Sequence, residues 1–172
     1  MSIRNLIIIA IITLLPIFEL RLSIPVGILI LKENFLIVIL IAFLINIIDA
    51  TFAFYIWKLI IRVANKIKFI EKIYEKKLNK IQKKIEPKVK KFGLLGLSFF
   101  IGIPLPGTGA YTGAIAADLL GMNYKDFIKA AILGITIALI IITTITLIFQ
   151  GSLSYLGYTQ DKIQLISRLF KI

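Results

Sequence analysis

A 172-residue chain of net charge +12, 59% apolar and 17% charged with a mean hydropathy of +0.95, does not have the make-up of a soluble domain. Globular chains hold roughly 45–50% apolar and about 25% charged residues, and neither a core nor a wetted surface absorbs this surplus, which leaves an integral membrane protein. With no His and no Cys, disulfide scaffolds, His-dependent hydrolysis or phosphoryl transfer and nearly all zinc and haem chemistry are excluded, so no enzyme, metal site or cofactor is expected.

The first predicted element, Leu6 to Phe18, is apolar except for Thr13 and follows Arg4. Glu19-Leu20-Arg21 stands where a signal peptidase would need small residues, so the segment is kept in the mature chain. A second apolar run, Leu22 to Leu31, contains Pro25 and Gly27. The polar turn Lys32-Glu33-Asn34 then precedes Phe35 to Trp57, 23 residues and long enough to cross about 30 Å of hydrocarbon as one helix.

Between Lys58 and Lys91 lie 13 of the 21 basic residues. Their position beside apolar spans is the positive-inside pattern: a cytoplasmic loop facing anionic lipid headgroups. No nucleic-acid recognition motif accompanies them, so no nucleic-acid partner is expected. Ile67, Ile70, Tyr74, Leu78, Ile81, Ile85, Val89 and Phe92 recur at helical spacing, which predicts a basic amphipathic helix on the membrane surface, stopped or kinked near Pro87.

The order then repeats. Gly93 to Ile103 is largely apolar, Pro104-Leu105-Pro106-Gly107-Thr108-Gly109 breaks it, and Ala110 to Gly121 resumes. The polar turn Met122 to Asp126 precedes a second 23-residue span, Phe127 to Phe149, and Asp161 to Ile172 reads as a short interfacial helix. The prolines cannot sit in a continuous helix, and broken helices at membrane depth survive only against protein or a wet cavity. Paired interruptions in corresponding positions of two halves point to a transporter-like site.

The expected fold is an all-α membrane protein: two re-entrant hairpins, 5–31 and 93–121, each followed by a transmembrane helix, 35–57 and 127–149, with the basic helix 58–92 between the halves. Four full transmembrane helices are the alternative. Basic residues fall 15 inside against 5 outside in the hairpin scheme and 17 against 3 in the four-span scheme, so charge leaves both standing.

Ionisable residues inside a bilayer cost at least about 2.5–3.5 kcal/mol at a helix centre, so Glu19, Arg21, Asp49 and Asp118 each need a reason. Asp49 shares a helical face with Ala42, Asn46, Ala50 and Ala53, which predicts the packed side of its span. Glu19 and Arg21, two apart, point away from each other on a continuous helix. Either the chain unwinds there or each finds another partner, for instance Arg21 with Asp49 or Asp118. Thr108 is expected to cap a helix starting at Gly109 and Ala110, whose N-terminal dipole would face the bilayer interior and attract an anion. Gly109, Gly113, Ala117 and Gly121, and likewise Ala130, Gly134 and Ala138, form small-residue ridges for close helix packing.

Glu19-Leu20-Arg21 with Ile24-Pro25-Val26-Gly27, and Ile103-Pro104-Leu105-Pro106-Gly107-Thr108-Gly109-Ala110 with Tyr111-Thr112-Gly113, resemble the small multidrug export protein family over nearly the whole chain. That family is distantly similar to the DedA / VTT-domain superfamily. The resemblance implies inverted re-entrant hairpins facing each other near the midplane, with proton-coupled export or lipid translocation as activity. By motif match it places Glu19, Arg21 and Pro25 on the first hairpin and Pro104, Pro106, Gly107 and Thr108 on the second, with Gly109 beside them. The superfamily's acidic pair is reduced here to Glu19.

Three functions are expected to compete. One is a secondary transporter using Glu19, Asp49 or Asp118 as its proton-binding carboxylate, with Arg21 as charge partner. The second is a lipid translocase with a polar groove, and the third a non-transporting membrane subunit. The substrate is a small molecule or a lipid, the location is the cell membrane as a multi-pass protein, and the small size suggests a homodimer.

Overall fold

The computed structural model describes residues 2–64, 93–105 and 107–155. The amphipathic helix expected after Ala64, Pro106 and the interfacial helix Asp161–Ile172 lie outside the described residues. Among those described, every regular element is helical. The chain divides into two compact units, one built from 1–45 and 138–172, the other from 46–137, and both long helices contribute to each.

In the first unit, α1 (Ile3–Leu14) ends where Leu15 turns extended ahead of Pro16, and α2 (Glu19–Pro25) follows. The two form a helical hairpin. Asn5 Nδ2 donates to Glu33 Oε1 at 2.8 Å, so the start of α1 lies beside the end of the second arm. This amide holds the Glu33 carboxyl below the usual carboxylate range. A Cβ on Gly27 would come within 2.6 Å of Val38 Cγ1 and 3.3 Å of Ile9 Cδ1, so only glycine admits this approach. The break expected at Pro25 is instead a widening. Pro25 sits inside α2, and the chain continues as a π-helical turn, Val26–Ile30. Proline supplies no N–H and crowds the carbonyl four residues back, yet the helix runs through it, and the widening follows directly after it, where Leu31 N donates to Val26 O. The reversal itself occurs at 15–18.

Helix α3 (Phe35–Ala64) starts at Asn34, whose Oδ1 accepts Leu36 N at 2.9 Å. Its 30 residues span about 45 Å. It runs past the expected end at Trp57, carrying Lys58 and Arg62 within the helix rather than in a loop. Val38, Ala42, Asn46, Asp49, Ala50, Ala53 and Phe54 are buried, while Leu36, Leu40, Leu44, Ile48 and Phe52 are exposed. Small and polar inside, large and apolar outside: that inverts a soluble helix and suits lipid.

In the second unit, α4 (Gly93–Gly102) and α5 (Ala110–Leu119) flank the Pro/Gly loop, and α6 (Tyr124–Tyr155) follows. Gly121, at φ +68°, turns the chain out of α5. Asn123 then caps α6 reciprocally: its Oδ1 accepts Asp126 N at 2.9 Å and its Nδ2 donates to Asp126 Oδ2 at 2.8 Å. A Cβ on Gly113 would meet Ile101 Cγ1 at 2.6 Å, so α5 folds back on α4. Helices α4 and α6 cross at facing glycines: Gly102 lies against Ile137, and Gly134 against Ile101 and the Ser98 carbonyl.

Two helices are long and apolar enough to cross a membrane, α3 and α6, with hydropathies of 2.6 and 2.7. Only 28% and 22% of their apolar windows are buried, against the pattern of core helices in a soluble protein. At 12 and 10 residues, α1 and α4 reach about 18 and 15 Å, short of a crossing.

The crossing yields a paired test. Gly134→Ala puts a methyl 2.7 Å from the Ser98 carbonyl oxygen, a backbone atom that cannot turn aside, and should lower stability by about 1–3 kcal/mol in detergent unfolding. Gly96→Ala, with nothing within 4 Å, should be neutral or gain up to about 1 kcal/mol from helix propensity. Equal effects of the two would contradict the packing described.

Candidate functional site

The polar residues of the second unit converge where α5 lies along the C-terminal half of α3. Tyr111, in the first turn of α5, donates its hydroxyl to Asp49 Oδ1 at 2.9 Å. Seven residues on, at the far end of α5, Asp118 accepts Trp57 Nε1 on Oδ2 at 3.1 Å and the Lys58 ammonium on Oδ1 at 2.5 Å. Each step of two helical turns along α5 matches one along α3, so the two helices run parallel. Thr51 Oγ1 and the Tyr124 hydroxyl share a hydrogen bond of 3.2 Å, tying the start of α6 to the same stretch. Phe54 stacks on Phe127 with ring centres 5.1 Å apart and meets Tyr124 edge-on at 5.5 Å. Lys58 Nζ lies 5.6 Å from the Phe54 ring centre.

The two carboxylates of this site have opposite surroundings. Asp118 is answered by an ammonium and an indole N–H, and its partner Lys58 keeps nearly half its side chain in contact with the surroundings. That is an anchor, with Trp57 and Lys58 placed as a helix end at a membrane interface places them. Asp49 is 2% exposed and has one oxygen answered, by Tyr111; its Oδ2 is buried with no hydrogen-bond partner among the described residues. One turn earlier on the same face, Asn46 is fully buried and neither its Nδ2 nor its Oδ1 has a partner there. Each orphaned polar atom costs about 1–3 kcal/mol; Ser23 Oγ and Thr143 Oγ1 also lack a partner among the described residues, but Asn46 and Asp49 put three such atoms on one helical face.

The remaining expected residues fall elsewhere. Glu19 opens α2 at φ +49°, the left-handed region, and the chain is unwound there. Its carboxylate reaches Arg21 Nη1 at 3.4 Å, with both side chains largely buried, so the two meet because the helix has only just begun. Pro25 lies in the second arm of that hairpin, not at its tip. Pro104, Gly107, Thr108 and Gly109 form the loop between α4 and α5, where Gly107 (φ +84°) and Gly109 (φ +130°) hold conformations that side chains rarely adopt. The cap expected from Thr108 is not made: Gly109 occupies the N-cap position of α5. The Thr108 hydroxyl instead lies 2.6 Å from the Ile103 carbonyl oxygen and 2.8 Å from that of Leu105, folding the loop back toward the end of α4.

Sequence reasoning singled out Asp49 and Asp118 but not Tyr111, Thr51, Trp57, Lys58 or Tyr124. A signal for part of this existed. Tyr111 and Asp118 stand seven apart, Asp49 and Trp57 eight apart, which places two polar pairs at the same pitch on two helices.

These features define an all-helical membrane protein with a buried, half-answered carboxylate between packed helices. The family described as "Putative small multi-drug export protein" matches residues 19–141, a stretch that holds both motifs, Asp49 and Asp118, and the chain belongs to that family. No curated protein and no solved structure matches it, and none of these comparisons reaches the DedA / VTT-domain superfamily.

If Asp118 and Lys58 anchor α5 to α3, a double-mutant cycle with Lys58→Ala and Asp118→Ala should give a coupling of about 1 kcal/mol, moderated by the exposure of Lys58. Unfolding in detergent followed by circular dichroism measures it, and strictly additive losses would show that the contact does not stabilise the pair.

Proposed function

We propose that the protein is a proton-coupled exporter of small molecules in the cell membrane, with Asp49 as the carboxyl that binds and releases the coupling proton. The observation that carries this reading is the asymmetry of the two carboxylates. Asp118 has its charge answered by Lys58, whereas among the described residues Asp49 Oδ2 and the neighbouring amide of Asn46 have no partner. Tyr111 fixes Oδ1, so proton traffic falls to Oδ2. A carboxyl that binds a proton in one step and gives it up in the next has to be left without a permanent partner. Membership of a family named for export supports the transport half of the reading.

In this reading the hairpins α1–α2 and α4–α5 dip into the membrane and return, related as an inverted repeat, while α3 and α6 cross it. The Lys-rich stretch 58–92 faces the cytoplasm and anionic headgroups, and two copies of the chain associate. Glu19 and Arg21 act as a fixed pair that seats the first hairpin.

Proteoliposomes holding a trapped pH dye test the reading. A panel of cationic, neutral and anionic amphiphiles should include at least one that moves the internal pH beyond its effect on protein-free liposomes. Asp49→Asn should cut that response about tenfold or more with helix content unchanged, and Tyr111→Phe several-fold. A full response in Asp49→Asn contradicts the assignment. Movement of a fluorescent lipid between leaflets, indifferent to Asp49→Asn, would select a lipid translocase instead.

A further inference from the structure

The corner of α3 that holds Asp49 also specifies a ligand. Asn46 and Asp49 lie three apart, neighbours on one helical face, and Ala50 and Ala53 continue that buried face with nothing larger than a methyl group. Three buried atoms there have no partner among the described residues: the acceptors Asp49 Oδ2 and Asn46 Oδ1 and the donor Asn46 Nδ2. A ligand that belongs in this place answers that set. An anion meets the Asp49 carboxylate with repulsion. A bare metal cation satisfies the oxygens but faces the Nδ2 donor, and no cluster of three or more acidic or other metal-ligating side chains occurs among the described residues. An apolar molecule leaves all three atoms unanswered. An ammonium group bearing N–H bonds gives one to each oxygen and supplies the positive charge opposite Asp49. An oxygen on the same molecule, or a water carried with it, accepts from Nδ2.

We propose that Asn46 and Asp49 are the substrate-recognising pair of this exporter and that they take a protonated amine, held through its own N–H bonds. The inference rests on the reading of Asp49 as the coupling carboxyl. Proton and ammonium then compete for Oδ2: as the amine arrives, the Oδ2 proton passes to water and an ion pair forms, with no covalent bond to the substrate. Tyr111 keeps Oδ1 occupied throughout, which leaves a single oxygen for both. Mutually exclusive occupancy is a sufficient basis for exchange transport.

Two ligands with the same charge and aryl chain, 2-phenylethylammonium and its N-trimethyl analogue, differ in whether the cation carries N–H bonds. Calorimetry on the full chain in phosphatidylcholine nanodiscs should find the primary amine binding about tenfold tighter or more, the worth of one to two charged hydrogen bonds, with proton release on binding. Asn46→Val should narrow the ratio to about twofold, and Asp49→Asn should abolish binding of the primary amine. Equal or tighter binding of the trimethyl compound, or binding of neither, overturns the proposal on the wild-type protein alone, whatever the variants do to folding. If that happens while Asp49→Asn still silences the pH response, the exporter reading survives and only the substrate class fails. If the primary amine is preferred but Asp49→Asn leaves the pH response intact, the amine site stands and the assignment of Asp49 as the coupling carboxyl falls.

Discussion

Inside an apolar layer, a charge has to be answered by something close at hand, and this requirement organises the molecule. Glu19 is answered by Arg21 at the point where the chain unwinds into α2, and Asp118 by Lys58 and Trp57 at the far end of α3. Asp49 receives one hydroxyl and no more that the described residues provide. Where two carboxylates are settled and a third is left half-settled, the third is the one able to change state. The Asp118 contact lies two helical turns along α5 from Tyr111 and helps to set the register that brings Tyr111 to Asp49.

Close approach of backbones makes this arrangement possible. The buried side of α5 is Ala110, Gly113, Ala114 and Ala117, and the buried side of α3 includes Ala50 and Ala53. Small side chains let a phenol on one helix reach a carboxylate on the other, because nothing bulky holds the axes apart. The same device recurs at the crossing of α4 and α6, where Gly102 and Gly134 each sit under an isoleucine. Association in lipid gains little from apolar burial, so packing and a few hydrogen bonds have to hold the helices. Gatherings of small residues around a few polar ones are the expected result.

Much of this is legible in the residues. The two long apolar helices, the asparagine-bearing polar turns that start them and the buried face Ala42–Asn46–Asp49–Ala50–Ala53 all follow from helical period and capping chemistry. What escaped has identifiable causes. Lys58 belongs by charge to the lysine-rich stretch and by backbone to α3, and composition alone reads the charge first. Pro25 looks like a breaker, yet the helix runs through it and only widens after it, while the real reversal at 15–18 carries only Pro16 as a sign. Thr108 has the chemistry of a helix cap, but its hydroxyl reaches back to the Ile103 and Leu105 carbonyls, and Gly109, at φ +130°, takes the N-cap position. Tyr111 and Trp57 escaped because hydrogen bonds across 62 and 61 residues of chain leave no sign but the matched spacings on two separate helices.

The claim on which the rest turns is that the Asp49 carboxyl gains and loses a proton in the folded protein. Infrared difference spectra of the membrane-embedded chain, recorded between acidic and alkaline states, report this directly through the C=O stretch of a protonated carboxyl. The account expects a titrating band that disappears in Asp49→Asn and persists in Asp118→Asn. A spectrum in which Asp49→Asn removes no such band would contradict it.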